Sequence, residues 1–183
     1  MIECQPFNGQ AKISMHLPHI ESWAEQAHTL FELINPGFPD RADEQYQAFL
    51  DELAAHDDDE FASTVDLMNV VKDIIDGESA CQLNWRAGPE FVEGMLRVLE
   101  GMGEEIDWGV DDPLDDDWLK AMTVPELVLR AADGLQDAGY TLWCWQIDQE
   151  HFLAWLTQSV SESEMASLVD SLGLGVCVAT DLF

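Results

Sequence analysis

The chain has 183 residues, 47 % of them apolar, which is enough for one domain with a proper core. Seven Lys and Arg stand against 37 Asp and Glu, giving a formal net charge of -30 and a pI near 4.1. Such a surface repels nucleic acid and anionic lipid, which need positive side chains to replace their counterions, and attracts basic proteins, basic peptides or metal cations.

The first ten residues carry neither a basic start nor an apolar run, so no secretory leader is expected there. No apolar stretch reaches membrane-spanning length. Ile13 to Leu17 alternates and reads as a short strand ending before Pro18. Ile20, Trp23, Ala24, Ala27, Phe31 and Ile34 fall on one helical face, and Asn35-Pro36-Gly37 stops that helix. A second helix is predicted from about Ala42 to His56, with Tyr46, Phe49, Leu50 and Leu53 as its stripe. Asp57-Asp58-Asp59-Glu60 suits the start of a third, where carboxylates meet the positive end of the helix dipole. Its stripe is Phe61, Val65, Met68, Val71 and Ile75, closed by Gly77.

After Gly77 the pattern changes. Cys81, Leu83 and Trp85 alternate with Gln82 and Asn84, as in a strand. Gly88-Pro89-Glu90 opens a helix carrying Phe91, Met95, Leu96 and Leu99 and ending in a turn at Gly101 to Gly103. The chain from Glu104 to Met122 is acidic and irregular. Thr123 and Glu126 form a capping box for a helix with Val124, Leu127, Val128, Ala131 and Leu135 on its core face. Tyr140 to Ile147 and His151 to Thr157 form a hairpin linked by Asp148-Gln149-Glu150. The run Leu142-Trp143-Cys144-Trp145 is apolar on both faces and reads as a buried central strand, a Trp-lined pocket being the alternative. Ser161 and Glu164 form a second capping box before a helix with Met165, Leu168, Val169 and Leu172; Gly173 ends it, and Leu174 to Ala179 is the last strand. The class that follows is α+β. One domain spans residues 1–183, with a mainly helical part over 1–77 and a strand-and-helix part over 78–183. The sheet is mostly antiparallel, with helices on one face.

Chemistry-bearing motifs are sparse. Cys4, Cys81, Cys144 and Cys177 stand far apart with no C-x-x-C, which fits reduced thiols in a cytoplasm. His16, His19, His28, His56 and His151 make no H-E-x-x-H. No phosphate-binding loop, dinucleotide fingerprint or nucleophile elbow occurs, so no catalytic residue, metal ligand or cofactor is assigned. The most distinctive segment lies between Arg97 and Lys120. It holds nine carboxylates and no basic residue: Glu100, Glu104, Glu105, Asp107, Asp111, Asp112, Asp115, Asp116 and Asp117. EF-hand spacing is absent. Trp108 and Trp118 either anchor this segment to the core or, beside the carboxylates, capture Lys or Arg by cation–π contact and ion pairing.

Several blocks resemble a family of bacterial proteins known only as a domain of unknown function. They are Asn84-Trp85, Asp107-Trp108-Gly109-Val110-Asp111-Asp112-Pro113, Val124-Pro125-Glu126-Leu127 and Gly139-Tyr140-Thr141-Leu142-Trp143 with Trp155. The resemblance covers about residues 71–157. It departs from the family at Gln149 and Glu150, where a Gly-Asp-like pair is expected in the hairpin turn. It implies a bacterial, soluble α+β protein and names no site.

The function expected from these features is non-enzymatic docking of a basic protein or peptide, as an inhibitor or immunity-type protein does. Its partner-facing residues are Glu104, Glu105, Asp107, Trp108, Asp111, Asp112, Asp115, Asp116, Asp117 and Trp118, with no direct contact to nucleic acid or membrane. The alternatives are a carboxylate-based metal-binding protein or enzyme, and a housekeeping module whose acidity serves solubility alone.

Overall fold

The computed structural model of the chain describes residues 18–55, 64–75 and 77–182, with side chains described from Trp23 onward and, at Thr64, the backbone alone. The strand predicted at Ile13 to Leu17, the helix start at Asp57 to Glu60, Phe61, Cys4, His16 and His56 lie outside the described residues, as does the side chain of His19.

Three helices come first: α1 (Pro18–Ile34), α2 (Pro39–Ala55) and α3 (Thr64–Ile75). Strand β1 (Ala80–Asn84) follows, then α4 (Gly88–Met102), α5 (Asp116–Ala121) and α6 (Val124–Asp137). The hairpin β2 (Tyr140–Gln146) and β3 (His151–Gln158) leads through a short 3-10 turn to α7 (Glu162–Leu172), and β4 (Val176–Val178) closes the sheet. The strands lie in the order β1-β3-β2-β4 and every pair is antiparallel. The α+β class and the single domain are as expected.

The layering corrects the expectation of helices on one face. Leu142 to Trp145 and Phe152 to Leu156 are buried at every residue, and a strand apolar on both sides needs cover on both. Alternation sends Leu142, Cys144, Phe152, Ala154 and Leu156 into one core with α4 and α6. It sends Trp143, Trp145, Leu153 and Trp155 into a second core with α1, α2, α3 and α7. In register Trp143 faces Trp155, and the Trp143 indole N–H donates to the buried Thr157 hydroxyl at 2.9 Å. The tryptophans of β2 are therefore core filling.

Glycine sets the closeness of the first core. A Cβ on Gly94 of α4 would stand 2.8 Å from Cys81 Cβ on β1. The capping box at Thr123 forms in full: Thr123 N donates to Glu126 Oε2 (2.8 Å) and Glu126 N to Thr123 Oγ1 (3.4 Å). The backbone N–H of Thr123 and then its hydroxyl hold the Glu126 carboxyl below its usual pKa. The second predicted box does not form. Ser161 ends a 3-10 turn at φ -97 and ψ 5, outside the extended conformation a side-chain cap needs, and its hydroxyl caps nothing. Val65, placed on the α3 stripe, is 38 % exposed; Leu67, Met68, Val71 and Ile75 form the buried face.

The helical part is tied to the sheet by a closed ring of buried polar side chains. Asn35 Nδ2 donates to Gln45 Oε1 (2.8 Å), Gln45 Nε2 to Ser79 Oγ (2.8 Å), and Ser79 Oγ to Asn35 Oδ1 (2.6 Å). The ring joins the end of α1, the middle of α2 and the turn before β1.

Candidate interaction surface

The acidic segment is a built connector. Gly103 ends α4 in the left-handed region (φ 72), and Glu104 N reaches back to Leu99 O at 3.0 Å. The chain then crosses α6 at Gly134, where an added Cβ would stand 3.0 Å from Asp107 O and 3.1 Å from Ile106 Cβ. Asp107 Oδ1 accepts from Gly109 N (2.7 Å), and Arg130 of α6 donates to Trp108 O (3.3 Å). Asp112 Oδ1 accepts from Leu114 N (2.9 Å). Asp115 caps α5, accepting from Asp117 N (3.1 Å) and Trp118 N (2.8 Å), and Asp116 pairs with Lys120 at 3.3 Å. Farther back, Tyr140 OH donates to Glu104 Oε1 at 3.0 Å. Burial, then this bond and the negative charge of Glu104, push the Tyr140 phenol above its usual pKa.

Glu105, Asp107, Asp111, Asp112, Asp115, Asp116 and Asp117 are exposed on this connector. Glu104 and Trp118 are half-buried, Trp118 packing on the α4–α6 core. Of the two roles the sequence leaves open for Trp108, the structure shows the anchor: it is 3 % exposed inside that core, with its indole N–H buried and unpartnered. Its face is spent on packing, which leaves the carboxylates and Trp118 to any partner. Among the described residues no three His, Cys, Asp or Glu side chains converge as a cation site requires.

A groove of about 680 Å³ lies beside the connector's start, at the C-terminal end of α4, where the sequence marks only Glu100. Its walls are the turn into α2 at Gly37 to Arg41, the Gly77-Glu78 turn, and Arg97, Glu100 and Gly101 of α4. Arg41 stacks over Phe38 at 4.8 Å and donates to Gly101 O at 3.3 Å. Arg97 lies along Gly77, where an added Cβ would stand 3.9 Å from its Nη1. Three separate segments build the groove, so no contiguous motif marks it. Scarcity is the sequence signal: Arg41 and Arg97 are two of only seven Lys and Arg in the chain.

The second cluster of titratable groups sits at the β2–β3 turn. Asp148 accepts from the backbone N–H of Glu150 and of His151, both at 2.8 Å, and from the His151 ring Nδ1 at 2.9 Å. These bonds, the Glu150 N–H first, hold Asp148 below the usual carboxylate pKa. Asn84 of β1 meets His151 Nε2 at 3.0 Å, and its Oδ1 accepts from Arg86 N at 2.8 Å. With its oxygen so engaged, Asn84 presents its amide N–H to the ring. Nε2 is therefore the acceptor and Nδ1 carries the proton toward Asp148. Both ring nitrogens are hydrogen-bonded, so the cluster fastens the hairpin to β1.

Residues 26–179 match the model of the family described as Domain of unknown function (DUF6630), and the chain belongs to that family. The match begins well before residue 71, where the resemblance in sequence blocks starts. It takes in most of α1 and all of α2, and with them the groove. No curated protein and no solved structure matches the chain. Among the described residues no helix is long and apolar enough to cross a membrane.

Proposed function

We propose that this protein is a non-enzymatic binding protein that docks a basic protein or peptide, in the manner of an inhibitor or immunity-type protein. Its acidic face would occupy a surface that otherwise meets nucleic acid. One observation carries the reading. Glu105, Asp111, Asp112, Asp116 and Asp117 stand exposed on a connector whose backbone is pinned by Gly134, Arg130, Asp107 and Asp115. A pinned backbone has little ordering entropy left to lose when a partner binds. The net charge of -30 adds long-range steering of a cationic partner, which weakens as salt rises.

The test is affinity capture on the wild-type chain and on a variant with Asp111, Asp112, Asp115, Asp116 and Asp117 all changed to Asn. Basic proteins retained by the wild type at low salt, released by salt and lost with the variant are the expected result. Equal recovery of neutral or acidic proteins by both chains overturns the reading.

A further inference from the structure

We infer that the groove between Arg41 and Arg97 receives the C-terminal carboxylate of a basic peptide segment, an inference that rests on the docking function proposed above. The chain has 37 carboxylates to seven Lys and Arg, whereas the groove has Asp40, Glu44, Glu78 and Glu100 to two guanidiniums. The groove is still net acidic by two charges, but its share of cations is higher than that of the chain as a whole. Arg97 is exposed and, among the described residues, makes no hydrogen bond or ion pair, despite the surplus of acids around it. Arg41 is held by Phe38 and Gly101 O, which leaves further guanidinium N–H donors uncommitted. Arg97 lies along Gly77, and Arg41 along Gly101, four residues on from Arg97 in α4. Both side chains thus line the same groove at the end of α4. Planar guanidinium forks are the side chains best matched to a carboxylate.

The field of the molecule decides which carboxylate can arrive. A free anion is repelled by the net charge of -30. A carboxylate carried on a Lys- and Arg-rich chain is attracted as a whole, and its basic side chains meet the four groove acids while its terminus meets the arginines. A volume of about 680 Å³ is that of a small-ligand pocket, suited to the last few residues of a chain.

The experiment is calorimetric titration, at low salt, with a Lys/Arg-rich hexapeptide bearing a free C-terminal carboxylate and with the same peptide amidated. Simple attraction to an acidic surface favours the amide, which carries one more unit of net positive charge. A carboxylate-reading groove reverses that order, and the acid is expected to bind about fivefold tighter. The preference should vanish in Arg97→Gln and in Arg41→Gln, each checked for an unchanged fold by circular dichroism and Tm. If the amide binds as well as the acid, or if Arg97→Gln keeps the preference, the groove inference is overturned while docking of basic partners stands. If neither peptide binds, both fall.

Discussion

Ser79 Oγ donates to Asn35 Oδ1 at 2.6 Å across 44 residues of sequence, and so closes the ring that Gln45 completes. All three residues are buried, at 4 %, 4 % and 2 % exposure for Asn35, Gln45 and Ser79. Every side-chain bond in the ring compensates a group that water cannot reach. Ser79→Ala removes one donor and one acceptor and strands the Gln45 amide and the Asn35 carbonyl. Stability should fall by about 2 kcal/mol, the order expected for stranded buried polar groups. Urea unfolding is the measurement, with a lower midpoint at unchanged slope. An unaltered midpoint would show that water or a rotamer change repairs the ring.

The connector should tolerate loss of charge and resist loss of its acceptors. Asp112 and Asp115 fix backbone N–H groups through Oδ1, and Asn offers the same oxygen. The five-fold Asp to Asn variant should keep or raise Tm, because it relieves like-charge crowding. Asp115→Ala removes the cap of α5 and should cost about 1 kcal/mol. Thermal melts of the two variants separate charge from capping. Unfolding of the Asn variant would mean that these carboxylates act as charges inside the fold.

What the sequence made legible was local. The Thr123–Glu126 box was readable because both partners lie within one turn, and it forms as expected. The buried run Leu142 to Trp145 was readable as a central strand, yet its consequence, helices on both faces, depends on where α1 to α3 dock. Ser161 and Glu164 have the right spacing, but a 3-10 turn takes Ser161 out of the capping conformation. Trp108 among carboxylates fits an anchor and a partner contact equally well, and only its contact with the α4–α6 core decides. Asp115, Asp116 and Asp117 are interchangeable on paper, although one caps a helix and another pairs with Lys120. The groove draws on residues 37–44, 77–78 and 97–101, a distance in sequence that no periodicity bridges.

Asp148 should shape the acid limb of the stability profile. Its pKa is lowered in the fold, so the unfolded chain binds the proton more readily. The resulting stabilisation is fully present above the ordinary carboxylate pKa, near 4, and is lost as pH falls through the lower folded value. Asp148→Asn keeps an acceptor for the Glu150 and His151 N–H groups and cannot titrate. The difference in unfolding free energy between wild type and this variant should therefore narrow as pH drops below about 4. A difference that stays constant down to pH 2 would assign the effect to geometry alone.

Tyr140 tests the opposite end of the scale and the seating of the connector. Its hydroxyl is the hydrogen-bond donor that holds Glu104 beside the start of β2, and its pKa is raised in the fold. For an acid whose folded pKa is raised, the stabilisation is fully present below the unfolded value, near 10, and is lost as pH rises through the folded one. Tyr140→Phe keeps the ring in the α4–α6 core and deletes the donor. At pH 7 the variant should be less stable by about 1 kcal/mol, the net worth of one hydrogen bond to a charged group at a partly exposed site. Above pH 10 the wild type should lose stability faster than the variant, so their unfolding midpoints in urea should converge. If the gap instead stays fixed through pH 11, the phenol is not the titrating group, and the bond to Glu104 does not control how the acidic connector sits on the domain.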